Sequence, residues 1–157
     1  MAETLRILQD PDDRLRQVCQ AIDEITDEHL VYIQKMKTTL KRSGGVGLAA
    51  PQVGILDRIA IVRFEKGNKY TPAFVIINPK ILSFSDEQSV AEEGCLSIDE
   101  FTADIPRYND IEVEYMDEHG NEHQRKLSGF NARVVQHEID HLNGVLITDR
   151  MIEKAIF

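Results

Sequence analysis

The chain has 157 residues, a formal net charge of −9, and 42% hydrophobic and 29% charged residues. That length suits one domain, residues 1–157, with a core that needs no staples. The acidic balance argues against non-specific nucleic-acid binding and against anionic membranes, since both reward Lys and Arg. Two cysteines, Cys19 and Cys95, do not make a disulfide framework. No secretory signal and no apolar run of membrane length is read, so the cytoplasm is the expected compartment, or an organelle if a transit peptide has been removed.

Residues 10–14 (DPDDR) read as a surface turn. Thr26 can cap a helix that opens with Asp27 and Glu28, acids suited to a helix N-terminus. Leu30, Ile33, Met36 and Leu40 form its apolar stripe, and Gly44 and Gly45 end it. Lys35, Lys37, Lys41 and Arg42 are expected to form a solvated face of that helix. Residues 58–64 (RIAIVRF), 73–77 (AFVII) and 111–115 read as strands. A turn at 118–121 should fold the last of these into a hairpin with 123–127. Ser128 can cap the last main helix, which Asn143 and Gly144 close. Strands followed by a helix, rather than alternating with helices, predict α+β with mostly antiparallel pairing.

The most informative stretch lies in that last helix. Residues 137–141 read H-E-x-x-H, so His137 and His141 share a helix face and can reach one metal ion. Glu138 beside them can handle protons for water at that metal. Phe130, Val134, His137 and His141 fall on one continuous face, so two imidazoles sit where core apolar residues belong. A metal would satisfy both. A third ligand is not supplied by the H-E-x-x-H-x-x-G-x-x-H pattern, because Ile147 stands where the last His would be. Asp149 and Glu153 leave little chain for a returning helix. Cys95, preceded by Gly94, is the best upstream candidate, and a thiolate with two imidazoles leaves one position open for water. Cys19 reads as a small buried hydrophobe, and His29, His119 and His123 as solvated.

Three segments together resemble the peptide deformylase family: 45–52 (GVGLAAPQ), 93–97 (EGCLS) and 136–142 (QHEIDHL). The likeness runs from Leu5 to about Asp149. It implies removal of the formyl group from N-formylmethionyl nascent peptides, on a fold of antiparallel β-sheets packed around a central metal-binding helix. It implies Cys95, His137 and His141 as ligands of one Fe(2+) per chain, which Zn(2+), Ni(2+) or Co(2+) can replace. Glu138 is then the general acid–base, with the Gln52 amide and the Leu96 backbone N–H as oxyanion donors. By family position Val46, Gly47, Phe130 and Val134 line the methionine pocket. Glu93 and Arg107 can pair behind Cys95, with a plain surface charge as the alternative for Arg107.

Two departures stand out. Ile98-Asp99 replaces the Ile-Pro of many bacterial relatives, and residues 99–104 (DEFTAD) are acidic where those relatives often carry a basic side chain. Residues 151–157 leave a turn or two where long-tailed members have a further helix, which speaks against ribosome docking by that route. Nucleic acid and membrane are not expected partners. The rivals are another zinc amidase or peptidase, and a metal-stabilised module without turnover.

Overall fold

The computed structural model describes residues 3–152. In chain order it contains helix α1 (Asp27–Ser43), strands β1 (Gly47–Ala49), β2 (Ile59–Val62), β3 (Glu65–Lys66), β4 (Lys69–Tyr70), β5 (Phe74–Phe84), β6 (Gln88–Cys95), β7 (Ile98–Tyr108), β8 (Asp110–Met116) and β9 (Glu122–Ser128), helix α2 (Gly129–Leu142) and the short helix α3 (Ile147–Arg150). Strands β1-β2-β5-β8-β9 form a five-stranded sheet, and β3-β4 and β6-β7 are separate hairpins, all paired antiparallel. This is the α+β, antiparallel architecture expected.

Side-chain alternation explains how the sheet takes a helix on each face. In β2, Ile59 and Ile61 pack with Ile33, Met36 and Leu40 of α1, while Ala60 and Val62 pack with Val134, Val135, Ile139 and Leu142 of α2. Val75 and Ile77 of β5 join the α1 side, and Ile76 joins the α2 side. A strand buried on both faces reads as an unbroken apolar run, as IAIV does. The other side of α2 meets the β6-β7 hairpin: the Gln136 amide takes Tyr108 N–H at 3.0 Å and donates to Tyr108 O at 2.9 Å.

Local signals were followed closely at α1. Thr26 Oγ1 accepts from His29 N–H at 3.3 Å, His29 Nδ1 accepts from Thr26 N–H at 3.0 Å, and Gly44 ends the helix with φ +73°. Two expectations need correction there. Leu30 is 38% exposed, because its helix faces the sheet with Ile33, Met36 and Leu40 only. His29 is half-buried rather than solvated, since its ring closes the cap and its Nε2 lies 3.6 Å from Asp57. At α2, Ser128 occupies the cap position but its side chain makes no capping bond. Instead Gly129, at φ +59°, turns its N–H to Asn109 O at 3.0 Å. Gly144 (φ +75°) closes the far end, where a Cβ would lie 2.5 Å from Arg16 O. The hairpin 88–108 was not read from sequence. Glu153 and the tail from 153 onward lie outside the described residues.

Candidate metal centre and active site

Helix α2 carries His137, Glu138 and His141, and the end of β6 carries Cys95. One helical turn brings the two Nε2 atoms to 3.2 Å, and Cys95 Sγ lies 3.5 Å from His141 Nε2. The three donor atoms all lie within 4.8 Å of one another, the arrangement a single metal ion needs. Cys19 is elsewhere, in the core between sheet and α2, where burial pushes its thiol up to about 11. His119 is exposed at the β8-β9 turn. His123 is not simply solvated: it stacks on Tyr115 and holds Asp117 at 2.8 Å.

The donor set fits a cation on its own terms. His141 is 1% exposed and its Nδ1 has no hydrogen-bond partner among the described residues, and the same holds for Glu138 Oε1, on a residue 3% exposed. Two imidazole nitrogens and a thiol face one another within the reach of a single cation, the donor chemistry such an ion takes. One thiolate and two neutral imidazoles suit divalent zinc, iron, nickel or cobalt. Burial drives the His141 imidazole well below its ordinary value, keeping it neutral and able to ligate. Burial also opposes protonation of His137, but hydrogen bonds to Cys95 and Glu93 outweigh it in the metal-free protein and raise it to about 10.

Behind the ligands stands a carboxylate. Glu93 Oε1 accepts from His137 Nδ1 at 2.8 Å, which leaves Nε2 facing the other ligands. Arg107 grips Glu93 with two bonds of 3.0 Å, so the expected pair exists, and at 4% exposure Arg107 is no surface charge. Burial alone would raise the Glu93 carboxyl, yet His137 and Arg107 hold it well below the usual carboxylate range. Sequence reading missed Arg133, 2.6 Å from Glu93, and Asp140, 2.6 Å from Arg107. Asp140 follows His137 by three positions on the same helix, a spacing that could have flagged it.

Gln52 is 1% exposed in a tight helical turn, Ala50–Val53. Its Oε1 accepts from Ala49 N–H at 2.9 Å, which aims its Nε2 toward Ser97 Oγ (3.1 Å) and Cys95 Sγ (3.8 Å). A donor is thus preset beside the candidate ligand. Leu96 and Ser97 form the turn between β6 and β7, and the Leu96 carbonyl accepts from Gln9 Nε2.

These groups open onto a cavity of about 660 Å³. Val46, Gly47, Phe130 and Val134 line it together with Gln52, Cys95, Leu96, His137 and Glu138. Gly47 abuts Glu138 itself: a Cβ there would lie 2.7 Å from Glu138 Cδ and closer still to Oε2. A Cβ on Gly94 would meet nothing nearer than 3.7 Å, at Phe101 O and Thr102 Cγ2.

A sequence profile of the polypeptide deformylase family matches residues 4–156. The peptide deformylase of Brachyspira hyodysenteriae is 41% identical over 143 residues, covering 89% of this chain and 76% of that protein. That of Synechocystis is 42% identical over 140 residues, covering 89% and 75%. Among solved structures, the peptide deformylase of Thermotoga maritima superposes with a TM-score of 0.88 at 40% identity, covering 96% of this chain and 99% of that one. The Ehrlichia chaffeensis peptide deformylase in complex with actinonin gives 0.90 at 35% identity, covering 96% and 90%.

Proposed function

Because this chain belongs to the polypeptide deformylase family, metal-dependent hydrolases that remove the N-terminal formyl group of nascent peptides, we propose that Cys95, His137 and His141 hold its metal and that Glu138 carries the proton transfer. The observation that supports this most strongly is the meeting of those three donors beside the buried Glu138, whose Oε1 has no partner among the described residues, with Cys95, His137 and Glu138 lining one cleft. The resident metal is ferrous iron, one per chain, with zinc, nickel or cobalt able to replace it.

The substrate's formylated N-terminus is uncharged, so its methionine side chain must provide the grip. Val46, Phe130 and Val134 offer it an apolar wall. A divalent metal at the three donors supplies Lewis acidity for the formyl carbonyl and lowers the pKa of water there toward about 7. Glu138 accepts the proton of the attacking water and delivers it to the leaving amine nitrogen. Burial pushes its carboxyl up to about 7, near the value a base working at neutral pH requires. The Gln52 amide and the Leu96 backbone N–H donate to the oxygen on which charge develops. Gln52 needs little reorganisation, because Ala49 already holds its other end.

Formylated nascent peptides are the partner, with no direct contact to nucleic acid or membrane, and the site of action is the cytoplasm. The net charge of −9 speaks against nucleic-acid and anionic-membrane binding. No described helix is long and apolar enough to cross a membrane. The test is formate release from formyl-Met-Ala-Ser by anaerobically purified protein, with its metal content measured in parallel. Formate in proportion to bound iron, with no cleavage of unformylated peptides, is expected. Cleavage of internal unformylated bonds instead would favour the peptidase reading.

A further inference from the structure

The ligand helix is tied into a closed ring of charges that ends on the protein surface. From α2, His137 bonds Glu93 on β6, Glu93 bonds Arg107 on β7, and Arg107 returns to α2 at Asp140. Each member of the ring is buried or nearly so. Arg133 gives Glu93 a further bond at 2.6 Å. Outside the ring stands Arg150 of α3, with its side chain 49% exposed. It donates to both oxygens of Asp140, Nε to Oδ2 and Nη2 to Oδ1, each at 2.9 Å.

The two oxygens of Asp140 are not equivalent. Oδ2 is shared by Arg107 and Arg150, whereas Oδ1 is taken by Arg150. Without the Arg150 guanidinium this mostly buried carboxylate would keep one anchor and could turn about its bond to Arg107. Arg107 would follow, and with it the Glu93 oxygen that fixes the His137 ring. A planar fork gripping a carboxylate at two points is the arrangement that resists such rotation.

We propose that Arg150 is a positioning residue for the metal site: it pins Asp140 and, through Arg107 and Glu93, holds the His137 imidazole in its ligating orientation. This rests on the ligand assignment above. The alternative is that Arg150 merely fastens α3 to the body of the protein. Helix α3 has another tie that avoids the ring, the ion pair between Asp149 and Arg16. Breaking that tie separates docking from positioning.

The experiment uses cobalt-loaded protein and reads cobalt transfer to a chelator, together with the visible thiolate-to-cobalt absorption. Partners that orient a metal-ligating histidine are typically worth about 10–100-fold in metal affinity. Acting through two intermediates, Arg150→Met should release cobalt about 10-fold faster than the parent and alter the absorption band. Arg150→Lys, which keeps the charge but loses the fork, should fall between them, and Arg16→Gln should match the parent. With formyl-Met-Ala-Ser, kcat should fall for Arg150→Met while KM holds. Parental release rates for both Arg150 variants would overturn the inference, and so would an Arg16→Gln rate equal to that of Arg150→Met. Failure of the deformylase reading would show differently, as no formate from any loaded protein.

Discussion

Replacing Gly47 with alanine tests the geometry of the catalytic carboxylate without touching a ligand. The new Cβ would lie 2.7 Å from Glu138 Cδ and 3.1 Å from Cγ. Carbon atoms pack best at about 3.5–4.0 Å, so the carboxyl group must retreat by about 1 Å. Gly47 has no positive φ, so the effect is one of space rather than backbone strain. A misplacement of about 1 Å in an aligned active site can cost about 100-fold in rate. Overpacking should also cost about 1–3 kcal/mol of stability, or about 3–10 °C in Tm. The assay is kcat/KM for formate release from formyl-Met-Ala-Ser, with metal content and thermal unfolding measured on the same preparation. Metal content should hold, because the nearest contacts of the added Cβ are Glu138 atoms. A variant that keeps more than about a third of the parental kcat/KM would refute both the close approach and the role assigned to Glu138 here.

Glu138→Gln should retain metal and fold while losing about 10²–10⁴-fold in kcat, since an amide cannot accept the proton; loss of metal instead would make Glu138 a ligand. Peptides led by formyl-norleucine should rival those led by formyl-methionine. Formyl-alanine peptides should be about 60-fold poorer in kcat/KM, from three fewer buried heavy atoms at about 0.8 kcal/mol each; equal values would place the pocket elsewhere. The Glu93 carboxyl is depressed in the fold, so it stabilises above its ordinary value near 4.5, and that contribution drains away as pH falls below it. Chemical denaturation of the metal-free protein from pH 6 down to pH 3 should therefore show a shallower loss of stability in Glu93→Gln than in the parent, and parallel curves would contradict the pairing.

Short-range features of this protein were legible because backbone geometry alone sets them. The spacing of His137 and His141 needs only 3.6 residues per turn, and the Thr26 cap and the Gly44 stop need only one helix end. The alternation in β8 and the turn after Asp117 likewise identify their hairpin. The β6-β7 hairpin escaped because most of β6 is exposed, so QSVAEEGC carries no apolar alternation to read. Other features belong to packing between distant segments. Glu93 stands behind His137 across 44 positions, Arg107 reaches Asp140 across 33, and Gly47 meets Glu138 from a different element altogether. The residue types for such contacts are visible in a chain, but their partners are chosen only when α2 is pressed between the sheet and the β6-β7 hairpin. Buried charges must then find whichever opposite charge that packing has brought within reach.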